Sequence, residues 1–246
     1  MSKRVVWGLI STLLVLVIAV IVFVILTPNS TNDESDNITR INLEEDVKQV
    51  SVLGTIKEDA VEKAVVDNAT MTIGTKTIDV SDGTYATDGV AEGTQTVKIS
   101  SPNHDDFEAP FEIKSGINRI TFILTLTPGE TLRRWFESEK SGDYSTSHKY
   151  AHPAAKAVYS KETYVKDKED LANQGIKLVS FDIGQSRMIP EWTYPKTGKV
   201  YNDVVEVDVV QVLEQITDAQ TKQLSQDVQI HLVWDGGRWK NFPMAK

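Results

Sequence analysis

Between Val5 and Thr27 the chain reads VVWGLISTLLVLVIAVIVFVILT, without one charged side chain. A helix of that length, rising ~1.5 Å per residue, crosses a ~30 Å hydrocarbon core with slight tilt. The run exceeds the roughly 7–15 residues of a signal-peptide apolar core, and no Ala-x-Ala cleavage pattern follows it. Lys3 and Arg4 precede it and acidic residues follow soon after, which predicts a cytoplasmic N-terminus with the bulk of the chain outside the membrane. The expected start is therefore a cytoplasmic tip over residues 1–4, a transmembrane helix over 5–27 and a flexible polar stalk over 28–45.

The whole chain has 26 Lys and Arg against 35 Asp and Glu, a net charge of −9, and the outer part is more acidic still once Lys3 and Arg4 are set aside. A surface of that sign argues against nucleic acid or anionic lipid as the main partner. Membrane contact is expected only through residues 5–27. There is no cysteine, so disulfides, thiol catalysis and cysteine–zinc sites are excluded. Asn29, Asn37 and Asn68 each open an Asn-x-Ser/Thr triplet, a pattern that arises by chance in a chain rich in Ser and Thr.

Residues 46–127 alternate apolar with polar or β-branched residues in short runs: QVSVLGTI, ATMTIG, KTIDV, TQTVKIS, PFEIKS and RITFILTL. Turn signals at Ser81-Asp82-Gly83, Glu92-Gly93 and Ser115-Gly116 separate them. Short, evenly spaced strands without a long helical pattern predict a small antiparallel sandwich. The order VSVLGTI, NATMTIG, Asp82-Gly83-Thr84-Tyr85, EGTQTVKIS and FILTLTP resembles the carboxypeptidase regulatory-like, transthyretin-like sandwich. That resemblance implies a non-catalytic adhesive or spacer module and brings no catalytic residues.

The texture changes at Thr127. Thr127-Pro128-Gly129-Glu130 reads as a helix start, with Thr127 as N-cap and Pro128 as the first helical residue. Leu132, Trp135 and Phe136 then share a face, and Gly142 is the stop. A short helix over roughly Tyr144–Ala151 should end before Pro153, and a third should run from behind Ser160 to Gly175. The strands IKLVSFDIG, KVYNDVVEVDVVQVLEQ and DVQIHLVW follow, then a turn at Asp235-Gly236-Gly237 and the strand RWKNF. Residues 128–246 are thus expected to be α+β, with helices covering a curved antiparallel sheet. The features RRWFES, YAHPAAK and VQIHLVWDGGRWKNF resemble the nuclear transport factor two-like cone. That superfamily includes enzymes, ligand carriers and structural modules, so the resemblance names no function.

The chemistry-bearing residues are few. His148-Lys-Tyr-Ala-His152-Pro153 sets two imidazoles at i and i+4, a spacing that suits a metal on one helical turn. Proline pushes the residue before it out of helical geometry, so His152 is expected in the break between helices and His148 in solvent. No acid stands at metalloprotease spacing, and no metal or other cofactor is expected. A cone interior can hold a pocket lined by aromatics. Trp135, Tyr150, His152, Asp182 and Trp234 are the candidate pocket set, with Tyr144, Tyr164, Trp239, Glu206, Asp208 and His231 also available. Strand alternation places Val228, Ile230, Leu232 and Trp234 on the core face and leaves His231 toward solvent. MIPEWTYPKTGK, Met188 to Lys199, reads as a stiff loop between strands. Ile189, Trp192 and Tyr194 on it are candidate partner contacts.

No Gly-x-Ser-x-Gly, phosphate loop or complete catalytic set is present. The expectation is a membrane-anchored extracytoplasmic protein without catalytic activity, binding a protein partner or small ligand through its C-terminal domain. Two alternatives stand beside it. One is an enzyme using the cone pocket on a small apolar or envelope-derived substrate. The other is a structural subunit of an envelope or secretion assembly, since type IV secretion includes a single-pass component with a similar cone domain.

Overall fold

The computed structural model describes residues 49–59, 64–217 and 220–243, and among these described residues seven strands precede the first helix. These all fall in one compact unit, Glu45–Lys246. The apolar run 5–27, the stalk 28–45 and the triplets at Asn29 and Asn37 lie outside the described residues. Among the described residues no helix is long and apolar enough to cross a membrane.

β1 (Gln49–Glu58) turns Val50, Val52 and Ile56 inward by strict alternation. It pairs antiparallel with β4 (Thr84–Ala91) and parallel with β7 (Ile117–Leu124). The second sheet runs in the order β3 (Lys76–Val80), β2 (Ala69–Ile73), β5 (Gly93–Ser100), β6 (Phe107–Ile113). Val52, Ile56, Phe122 and Leu124 from the first sheet share one buried core with Met71, Ile73, Val97, Ile99 and Ile113 from the second.

Two expectations are corrected here. The β1–β7 pairing is parallel, so this lobe is not purely antiparallel. β4 adds a strand to the six runs expected, because Asp88 and Gly89 interrupt its apolar pattern and only Tyr85 and Val90 are fully buried. Gly54 is required by close packing: a Cβ there would fall 1.7 Å from the Ile120 carbonyl oxygen. The Tyr85 hydroxyl uses that space to donate to the same oxygen at 2.7 Å.

The second lobe begins at α1 (Pro128–Ser141). The Thr127 hydroxyl accepts from the Glu130 N–H, Pro128 opens the helix, and Gly142 closes it at φ 80. α2 (Tyr144–Ser147) runs into a 3₁₀ turn over His148–Tyr150. α3 (Pro153–Val158) and α4 (Lys161–Asn173) follow, the latter capped by Ser160. α3 is additional to the expected three helices. Pro153 opens it, and the His152 ring caps it by accepting the Ala154 N–H on Nδ1 at 3.1 Å.

The last sheet has the order β11 (Arg238–Asn241), β10 (Thr221–Asp235), β9 (Lys199–Ile216), β8 (Ile176–Tyr194), every pair antiparallel. Leu132, Trp135 and Phe136 of α1 pack on the face carrying Val205, Val207, Val209, Ile230 and Leu232. The MIPEWTYPKTGK stretch is strand as far as Tyr194, and only residues 195–198 turn. Pro190 fits because β8 is an edge strand and the proline needs no ladder donor on its open side. At Asp203, φ 53 breaks the alternation of β9, so Tyr201 and Val204 join a second cluster around Phe242.

Charged groups bind the two lobes together. Arg134 of α1 forks onto Glu58 at the end of β1, with Nη2 to Oε2 at 2.8 Å, and also donates from Nε to Glu130 at 2.8 Å. Arg238 reaches Asp59 at 2.6 Å.

Candidate functional site

α1 carries Leu132, Trp135, Phe136 and Glu139 on one face, the i, i+3, i+4, i+7 spacing. Its C-terminal half stands over the start of β8 and beside α4. Between them lies an inner cleft of ≈ 150 Å³, lined by Trp135, Phe136, Leu171, Leu178, Gln211 and Leu213. It opens past Glu139 and Tyr144 into a wider groove of ≈ 700 Å³ lined by Lys140, Glu169, Ala172, Asn173 and Lys177. Apolar surface slightly outweighs polar in the inner cleft, and the two are balanced in the outer groove, where Lys140, Glu169, Asn173 and Lys177 supply the polar share.

Glu139 is buried at the junction of the two spaces. Its Oε1 accepts from the Ser147 hydroxyl at 2.5 Å and from the Tyr164 hydroxyl, and Lys168 pairs with Oε2. Burial, followed by the Glu139 charge, pushes the Tyr164 hydroxyl well above its ordinary pKa, so it stays protonated and donating. With three donors in place the carboxylate is committed to holding α1, α2 and α4 together, which does not suit a general base.

A second cleft of ≈ 260 Å³ lies at the far end of the sheet, bounded by Trp192, Tyr194, Pro195, Lys196, His231 and Phe242. His231 stacks on Trp192 with centroids 4.3 Å apart and planes 13° apart. Its Nε2 lies 2.9 Å from Glu206, which Arg187 also pairs, and Arg187 reaches Asp208 at 3.2 Å. Burial lowers the His231 pKa below its ordinary value, while the Glu206 carboxylate opposes that shift. The neutral ring therefore donates from Nε2 to Glu206.

The five candidate pocket residues are not gathered. Trp135 alone lines the inner cleft. Tyr150 is buried in the same core but borders a separate small cavity beside Trp239. His152 is buried against Tyr201 and Phe242. Asp182 is exposed, beside Asp208 and Gln229 in a groove on the opposite face of the sheet. Trp234 is 47% exposed and meets only the edge of Trp239, because it lies past the part of β10 that the helices cover.

Ile189, Trp192 and Tyr194 do meet, as strand residues packed around Phe242 and not on an exposed loop. His231 is not in solvent, since Trp192 covers it. His148 is also buried, with Nε2 donating to the Tyr159 carbonyl at 3.1 Å. Each imidazole of HKYAHP thus serves a backbone group. No group of three or more His, Asp or Glu among the described residues is arranged to hold a metal ion. Glu139 and Lys168, central to the first cleft, escaped sequence reasoning although each stands four residues after an aromatic on its own helix, Trp135 and Tyr164.

No family model matches the chain, and no curated protein resembles it. Among solved structures, a type II cohesin–X-dockerin complex mutant from Acetivibrio cellulolyticus shares 22% identity over 37% of this chain and 72% of its own, with a TM-score of 0.29. A Bacteroides uniformis protein provisionally assigned to carbohydrate binding shares 12% over 79% of this chain and 96% of its own, at 0.28. A Bacteroides fragilis protein, provisionally called membrane-associated and of unknown function, shares 9% over 74% and 95%, at 0.25. These β-rich likenesses are too slight to assign a family or a function.

Proposed function

We propose that this chain is a membrane-anchored, extracytoplasmic binding protein whose C-terminal lobe takes a small amphipathic ligand in the cleft under α1. In this reading residues 5–27 are the anchor, the first lobe is a carboxypeptidase regulatory-like spacer, and the second is a nuclear transport factor two-like cone. The observation that carries it is the two-part cleft, walled by Trp135, Phe136, Leu178 and Leu213 within and flanked by the charged side chains of Lys140, Glu169 and Lys177 at its mouth, with buried Glu139 already committed to three donors. An apolar body would seat against Trp135, Phe136 and Leu213, and a polar end would meet Lys140, Lys177 or Glu169. The enzymatic alternative loses support because neither His152 nor Asp182 reaches this space.

Native mass spectrometry of the full chain, extracted in detergent from its source cells, tests this reading. A non-covalent adduct is expected on the wild type and should be absent from Ala172→Trp, which fills the groove without removing a core side chain. A bare mass for both proteins, or an adduct unaffected by Ala172→Trp, would overturn it.

A further inference from the structure

We infer that the open edge of β10 pairs with the same edge of a second copy of this chain. β9 lines one side of β10 from Thr221 to Leu232 without a register shift, but β11 covers only Leu232–Asp235 on the other side. Among the described residues no strand pairs with the remaining edge. The His231 carbonyl accepts from the Phe242 N–H at 3.2 Å and so points to the β11 side. Backbone groups of alternate residues in an uninterrupted strand share a direction, so Thr221, Gln223, Ser225, Asp227 and Gln229 aim their N–H and C=O groups outward.

Edges of this kind invite another strand unless something blunts them. The opposite edge of the sheet is blunted: β8 contains Pro190 and two register shifts. β10 has neither along this stretch.

The side chains favour a second copy as the occupant. Leu178 pairs with Leu213, and Leu213 with Leu224, so an apolar row crosses three strands and stops at the open edge with Leu224 50% exposed. An antiparallel two-fold at Leu224, perpendicular to the sheet, keeps each face continuous and sets Leu224 against the partner's Leu224. The row then runs on through the partner. In the same register Gln223 faces the partner's Ser225, Lys222 the partner's Gln226 and Thr221 the partner's Asp227, so no like charges oppose one another. Symmetry supplies the matching leucine, which an unrelated strand would have to bring by coincidence.

The absence of cysteine makes the test direct. Leu224 would be a non-hydrogen-bonded pair with its copy, with Cα atoms ~4.5 Å apart, within reach of a disulfide. The full chain carrying Leu224→Cys, oxidised with copper-phenanthroline in membranes of expressing cells, should shift to twice the chain mass. Met188→Cys, on the β8 edge and 59% exposed, should stay monomeric. Adding Ser225→Pro removes one outward N–H, leaves the β9 ladder intact and should abolish the shift. Equal cross-linking at 188 and 224, no cross-link at 224, a cross-link that survives Ser225→Pro, or an adduct to a different protein would each overturn the pairing.

Should Ser225→Pro lower the thermal midpoint, Leu224→Lys serves instead, since it leaves every backbone group in place. Sedimentation in detergent should then give a dimer for the wild type and a monomer for the variant. The same behaviour from both would overturn the proposal.

Discussion

Arg134 and Glu58 lie 76 positions apart in the chain and join in a two-pronged ion pair, with Nη1 to Oε1 at 2.5 Å and Nη2 to Oε2 at 2.8 Å. The pair ties the first helix of one lobe to the last residue of the first strand of the other. Arg134→Ala would leave a buried carboxylate facing His104 alone. The expected loss is about 3–5 kcal/mol, read from the urea midpoint of the full chain in detergent. Arg134→Lys should recover only part of it, because an ammonium cannot make both prongs.

Acid should weaken the same joint. Burial by itself would raise the Glu58 pKa, but the His104 ring, with Nε2 3.5 Å from Oε2, and the hydrogen bonds from Arg134 outweigh it and hold the carboxyl at about 2. The folded pKa lies below the ordinary carboxyl value of 4.5, so the unfolded chain binds more protons between those two values. The contribution is complete above pH 4.5 and is lost as pH falls toward 2. Thermal midpoints across that window should fall more steeply for the wild type than for Glu58→Gln. Parallel curves would contradict the assignment.

Gly54→Ala should be among the most damaging single changes in the first lobe. Its Cβ meets the Ile120 carbonyl at 1.7 Å and the Tyr85 hydroxyl at 2.8 Å, so β1 and β7 must separate. A loss of about 3 kcal/mol is expected, against about 1 kcal/mol for Tyr85→Phe, which removes only the hydrogen bond. Denaturant titration of the two variants side by side checks the ratio.

Trp192→Ala should act on His231. Burial depresses the His231 pKa, and the Trp192 ring is what covers it. In the wild type the ring stays neutral as pH falls through 6.5, and the stability it contributes above 6.5 is lost only as the pH drops further. Removing Trp192 should move the imidazole's titration up toward 6.5, followed by NMR of its ring protons. An unchanged midpoint would mean that the Arg187 charge, and not burial, holds this histidine low.

Tyr164→Phe removes one of three donors from buried Glu139. The expected cost is about 1–3 kcal/mol, because the carboxylate keeps its desolvation but loses a partner. Circular dichroism melting of the variant measures it.

Local rules made much of this fold legible in the sequence. Thr127, Pro128 and Gly142 marked both ends of α1 because caps and stops are short-range chemistry, and Ser160 did the same for α4. The parallel partnership of β1 and β7 was not legible, since pairing direction depends on contacts between strands more than 60 residues apart. The full length of β8 was not legible either, because Pro190 argues for a loop unless the strand is known to be an edge. The aromatic sets show the same divide. Ile189, Trp192 and Tyr194 are close in sequence and meet around Phe242, whereas Trp135, Tyr150, His152, Asp182 and Trp234 come from separate elements and border different spaces. Val228, Ile230 and Leu232 obeyed alternation, but Trp234 lies past the helices that would have covered it. Which residues a neighbouring element covers is tertiary information.

The parallel pairing of β1 with β7 also decides how the first lobe bears tension. The chain enters at the start of β1 and leaves toward the second lobe from the end of β7, with Ser51 opposite Ile117 and Glu58 opposite Leu124. A pull between entry and exit drags the two strands past each other lengthwise, so the bonds between them share the load instead of opening one by one. Stretched in a single-molecule experiment, this lobe should yield at a higher force than an antiparallel hairpin of equal length peeled from its open end.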